Sequence, residues 1–150
     1  MTLASTLTKL QALNRGSSGI ATAPTAYPTA LNAADLPCAL TLVGAGDCNE
    51  QAVGLKRTDT MYHIITYVKP VAHGVGIDEG VQVCLPILQA MINTYLDNPT
   101  LDGTIDHIGE QGEFSHSGIQ SGDSDRRLIY GGTSYHGFIV SLRITEKTSS

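Results

Sequence analysis

In the stretch YHGFIVSLRIT, from Tyr135 to Thr145, the residues Phe138, Val140, Leu142 and Ile144 alternate with Ile139, Ser141, Arg143 and Thr145. Successive side chains of a strand point to opposite faces, so this order makes one face fully apolar and leaves the other mixed. Such a strand cannot stand alone. Its apolar face needs a second layer, and its backbone needs hydrogen-bonding neighbours. The rest of the chain has to supply both.

Neighbouring strands are legible on either side. Arg126 to Tyr130 (RRLIY) reads as the partner in a hairpin around Gly131-Gly132-Thr133-Ser134. Cys38 to Val43 (CALTLV) reads as a buried strand ended by a turn at Gly44-Ala45-Gly46-Asp47. Thr58 to Val68 is rich in Tyr, Ile, Thr and Val and is predicted as a strand closed by Pro70, which lacks a backbone donor. Leu101 to Ile108 is a further strand candidate, entered through Asp102-Gly103.

The covering layer comes from two helices. Leu3, Leu7, Leu10 and Leu13 recur at helical spacing on a segment that ends near Gly16. A longer helix opens at Asp78 and Glu79, acids suited to the positive end of a helix dipole, and runs to Leu96 before Asp97-Asn98-Pro99. Its apolar stripe is Val81, Cys84, Leu85, Leu88, Met91, Ile92, Tyr95 and Leu96; Pro86 either kinks it or begins its regular part. The expected class is α+β: a largely antiparallel β-sheet covered on one face by two α-helices. Two long loops interrupt it. Residues 16–37, rich in Ala, Thr, Ser and Pro, read as an extended arm with Tyr27, Leu31 and Leu36 as anchors, and residues 109–125 read as a mobile Gly/Ser-rich loop.

At 150 residues the chain fits a single domain spanning 1–150. Charged residues make up 15%, against about a quarter in a typical globular protein. A surface covered by hydroxyls, amides and glycine loses less on desolvation than one covered by ions, which suits burial against neighbours. The net charge of −5, with no basic run longer than Lys56-Arg57 or Arg126-Arg127, argues against a phosphate-binding surface. No run of about 18 apolar residues predicts a membrane span, and the N-terminal sequence does not read as a signal peptide. Cys38, Cys48 and Cys84, odd in number and widely spaced, read as reduced thiols of a reducing compartment.

Chemistry-bearing residues are scattered. His63, His73, His107, His116 and His136 form no zinc-ligand spacing; for His63 and His136, both in strands, a structural hydrogen bond is the expected role. Glu113, His116 and Asp123 converge only if their loop folds tightly. There is no Gly-x-Ser-x-Gly elbow, and Cys38 and Cys84 lie in apolar runs that raise rather than lower a thiol pKa. Gly44-Ala45-Gly46 and Gly74-Val75-Gly76 lack the remaining features of a dinucleotide fingerprint or a P-loop. The acids at Asp78-Glu79 and Asp123-Asp125 lack the ligand pattern of a calcium loop. The expectation is a non-enzyme with no cofactor and no metal.

The helix PILQAMINTYL running into DNPTLDGTIDHI, the Gly/Ser loop and the closing strand YHGFIVSLRITE, together with the N-terminal Leu-striped helix and CALTLV, follow one another in an order that resembles the tail terminator and tail-completion (neck) proteins of long-tailed bacteriophages. The resemblance covers most of the chain and lies in element order and the Pro-Thr-Leu-Asp-Gly turn; the arm 16–37 departs from it. It implies a virion protein, assembled in the host cytoplasm, that forms a ring of usually six copies. That ring would cap the tail tube, stop its growth and face the head-completion or connector protein, with DNA passing through the lumen without specific binding and no membrane partner. Tyr27, Leu31 and Leu36 in the arm, and Asp123 and Asp125 beside Arg126 and Arg127, are the candidate subunit contacts. Another neck or connector protein, a small oligomeric nucleotide-binding enzyme and a small-molecule or carbohydrate-binding module are the alternatives. The last is disfavoured by the absence of Trp and an aromatic content of 5%.

Overall fold

The structure, a computed structural model, describes residues 3–52, 54–71, 77–98, 107–108, 114–120 and 128–149. In chain order the elements are α1 (Leu3–Arg15), a 3-10 turn (Ala33–Asp35), β1 (Cys38–Ala52), β2 (Leu55–Pro70), α2 (Ile77–Asp97), β3 (His107–Ile108), β4 (Phe114–His116), β5 (Leu128–Tyr130) and β6 (Thr133–Ser149). The strands form one antiparallel sheet in the order β1-β2-β6-β3, with β4 and β5 also paired to β6. This is the expected α+β class. α2 begins at Ile77 and continues unbroken through Pro86.

The alternation in β6 does what it predicts. Phe138, Val140, Leu142 and Ile144 are buried on the helix face, beside Tyr62 and Ile64 of β2 and against Leu10 of α1 and Cys84, Leu88, Met91 and Tyr95 of α2. Burying a Leu- or Met-sized side chain stabilises by about 1.5–3 kcal/mol, so this layer dominates folding. A buried polar link crosses it: Tyr95 donates its hydroxyl hydrogen to Asn14 Oδ1, and Asn14 Nδ2 donates to Thr41 Oγ1 at 2.8 Å. That link ties α2 to α1 and α1 to β1.

β1 is longer than its apolar run. Instead of a turn at Gly44-Ala45-Gly46-Asp47, the strand continues to Ala52, and the register shifts between Val43 and Gly46. The glycines permit a bulge pressed against β2. A Cβ on Gly44 would sit 2.7 Å from His63 Nε2, and one on Gly46 would collide with the Asp59 carbonyl oxygen. The β5–β6 connection is the tight turn expected of its sequence, with Gly131 at φ 57° and Gly132 at φ 83°.

Both long loops make contacts within the subunit. Residues 16–37 form the long anchored loop expected, and the anchoring lies within the subunit. Ala21 and Thr22 donate to the Pro37 carbonyl at 2.9 and 3.3 Å, Ala39 donates to Thr22 O at 3.0 Å, and Arg15 Nη1 reaches Ala23 O at 2.7 Å. Small side chains let this segment lie flat, so Ala23 is buried in the main core. In the loop 109–125, residues 114–120 are held on the outer edge of β6. There Phe114 pairs with Leu142, Ser117 donates to Ile139 O at 2.9 Å, and Gln120 and Gly137 exchange bonds of 2.7 and 3.1 Å. Residues 109–113 and 121–125 lie outside the described residues. So do residues 101–106 of the strand expected from Leu101 to Ile108, of which His107–Ile108 pairs with β6.

Candidate functional site

The face of the sheet turned away from the helices carries the polar and exposed groups on which a function could rest. Near the start of β1 it is covered. Cys38, Leu40, Tyr67 and Tyr135 form a second small core, with Leu31 and Leu36 of the loop and Leu128 and Tyr130 of β5 packed on it. Tyr67 meets the rings of Tyr130 and Tyr135 edge-on, with centroids 5.3 and 5.5 Å away. The Tyr130 hydroxyl donates to the Pro28 carbonyl, which fastens β5 to the loop. A cavity of about 120 Å³ lies beneath the loop, lined by Thr22, Pro24, Pro28, Leu31, Asp35 and Cys38.

Further along the same face is a charged cluster that sequence reasoning missed. Asp59 of β2 accepts from Thr145 Oγ1 at 2.6 Å and from Arg57 Nε at 2.9 Å, and Arg143 Nη2 lies 3.5 Å away. Burial alone would raise the Asp59 pKa, but the Thr145 hydroxyl, Arg57 and Arg143 outweigh it and hold the carboxyl below the usual carboxylate range. Arg143 also lies 3.9 Å from the exposed Asp47 of β1. Together with Ala45, Gly46 and Met61, the residues Asp47, Asp59 and Arg143 line a cavity of about 160 Å³. The signal was present in β6, where Ser141, Arg143 and Thr145 occupy the non-helix positions. What could not be read was the register that sets Asp59 opposite Thr145.

The cluster is poor chemistry and good mortar. A carboxylate held ionised by three donors makes a weak base at neutral pH. His63 Nδ1 and Ser141 Oγ are hydrogen-bonded at 2.9 Å, the reach of a base and a nucleophile. Yet the ring's Nε2 edge packs against Gly44, and no carboxylate bonds to it among the described residues. His63 is thus the hydrogen-bonded strand histidine its position predicts, and His136 is fully buried in β6. His116 is exposed and accepts from the Gly118 N–H at 3.0 Å. Among the described residues no group of three or more His, Cys, Asp and Glu could hold a metal ion, and no helix is long and apolar enough to cross a membrane.

Of the anticipated contact residues, Leu31 and Leu36 come together on the second core. Tyr27 stands apart at the β1 edge, half in water, with its hydroxyl donating to Thr41 O at 2.7 Å. Asp123, Asp125, Arg126 and Arg127 lie outside the described residues, as do His73, Glu113 and Gly74–Gly76. Gly44-Ala45-Gly46 is embedded in the β1 bulge rather than opening a helix. No protein-family model matches the chain, and no curated protein matches it.

Proposed function

We propose that this chain is a structural subunit of a phage neck. It forms a ring, six copies in the favoured form, that caps the tail tube, stops tube growth and joins the tail to the head connector in the virion. The observation that carries this reading is how the polar groups are disposed. Those of the open sheet face are matched within the subunit around Asp59, whereas apolar side chains are left in water at the sheet edges: Tyr27, Leu42 and Val43 on one side and Ile129 on the other. Edges of that kind fit burial against neighbours. A net charge of −5 fits a lumen that passes DNA without holding it.

A nucleotide-binding enzyme is the reading from another class. It loses one of its two phosphate cradles, because Gly44-Ala45-Gly46 is spent on strand contact. Tube polymerisation separates the readings. Tail-tube protein from the same genome, assembled with this chain present, is expected to give capped tubes of restricted length. Tubes that grow equally long with and without it would sink the proposal.

A further inference from the structure

We infer that copies of this chain join head to tail through opposite edges of the sheet, the β1 edge around Val43 of one copy taking the β5 edge around Ile129 of the next. The inference rests on the ring reading above and names the surfaces that build it.

A sheet edge presents backbone N–H and C=O groups that seek partners, and proteins cover them or guard them with charge or proline. Here the far edge of β6 is filled by β3, β4, residues 117–120 and β5. The start of β1 is also filled: the Ala39 N–H bonds to Thr22 O, and Thr41 O accepts from Tyr27. Outward-pointing groups alternate along a strand, so those of residues 39, 41 and 43 leave on the same side. At Val43 the cover stops. By that alternation its N–H and C=O point away from β2, no loop or turn backbone group bonds to them among the described residues, and Tyr27, Leu42 and Val43 around them are 49%, 36% and 43% exposed.

The opposite edge ends in the same way. In the two-residue hairpin, Tyr130 pairs with Thr133 next to the turn, and Leu128 pairs with Tyr135. Ile129 lies between them, so its backbone groups point away from β6. Across the ladder, Ser134 likewise turns outward, and its carbonyl is taken by the Val71 N–H at 2.9 Å. The Ile129 side chain is 64% exposed. Each edge therefore offers apolar side chains in water beside a pair of backbone groups unmet among the described residues. Leu85 and Leu96, the other large apolar side chains exposed among the described residues, sit on a helix whose backbone bonds are internal.

No charged residue occurs from Cys38 to Gly46 or from Leu128 to Tyr130, so neither edge has an ion to desolvate. A contact of β1 with β1 would be self-complementary and stop at a dimer, whereas β5 offers a different patch. A contact between two different patches generates a ring when its rotation closes, as the neck reading requires.

The test uses two variants of the full chain, Leu42→Lys/Val43→Lys and Ile129→Lys, with mass by light scattering and fold by circular dichroism. All three positions are exposed; if lysine impairs folding, Leu42→Ser/Val43→Ser and Ile129→Thr take their place. The native chain is expected to assemble and each variant to be monomeric. An equimolar mixture of the two should give dimers and nothing larger, because a mixed pair retains one intact contact. A native-like assembly of either variant overturns the inference. So does a mixture that stays monomeric, or a native chain that never assembles. A six-fold ring indifferent to both substitutions removes the edge contact and leaves the ring reading. Edge-dependent assemblies that never cap a tube do the reverse.

Discussion

The Thr145 hydroxyl donates a 2.6 Å hydrogen bond to Asp59 Oδ1 across the β2–β6 pair, while Arg57 Nε holds Oδ2 at 2.9 Å. Oδ1 thereby ties β2 to β6, while Oδ2 is held by Arg57 of β2 itself and faces Arg143 Nη2 of β6 at 3.5 Å. Asp59→Asn leaves Arg57 and Arg143 facing a neutral amide, and a loss of about 1–3 kcal/mol is expected at neutral pH. Chemical denaturation of the two proteins measures it.

The same carboxylate sets a pH dependence. Its folded pKa is depressed, so below the ordinary Asp value of about 3.9 the unfolded state takes up the proton first. The stabilisation is complete above about pH 4 and is lost as pH falls through the folded value. The gap in denaturation midpoint between the native chain and Asp59→Asn should therefore narrow on acidification from pH 7 to pH 3. An unchanged gap would show that Asp59 is not held ionised by its partners.

Asn14 joins three elements through one side chain. Asn14→Ala should cost about 1–3 kcal/mol, because the Tyr95 hydroxyl and Thr41 are left without their partner in the core. Adding Tyr95→Phe should cost less than its effect in the native chain, since the hydroxyl it removes has already lost its acceptor. Strict additivity in a double-mutant cycle would contradict the link.

The three thiols should differ in reactivity. Burial pushes Cys84 up to about 11 and also raises Cys38, with the Asp35 charge adding to the latter and a Thr22 hydrogen bond opposing it. Both are buried and mainly protonated at neutral pH, whereas Cys48 is exposed on β1. A thiol reagent in native buffer should modify Cys48 alone, and the other two should react once the chain is unfolded. Fast modification of Cys38 would mean that the loop over it opens readily.

Gly137 is fixed by contact. A Cβ there would collide with the Thr66 carbonyl and lie 2.8 Å from Leu128 Cδ1. Gly137→Ala must push β2 or β5 aside, and a loss of several-fold in soluble yield together with a lowered melting temperature is expected. A melting temperature equal to the native chain's would count against the tight approach of these strands.

How much of this was legible depended on range. The period-two pattern of β6, the Leu stripe of α1 and the stripe of α2 are local signals, and each fell on the element it predicted, although Leu85 and Leu96 of the α2 stripe stand in water. The bulge in β1 was not local. Gly44 and Gly46 look like turn residues until His63 and the Asp59 carbonyl are set against them. In the loop 16–37 the contacts of the small residues carry no hydrophobic signal, although Ala23 is buried and Thr22 bonds to the start of β1. The Asp59 cluster joins residues 86 positions apart in the chain. Only the β2–β6 register makes it visible. Tyr27, Leu31 and Leu36 were recognised as anchors, but their division between the β1 edge and the second core was not.

The central claim is assembly, and the mass of the purified native chain in solution tests it most directly. Light scattering across a range of concentrations, with and without tail-tube protein, is expected to give a particle near six times the 15.8 kDa of one chain. A mass that stays at 15.8 kDa at every concentration, with tube protein present, would contradict the account.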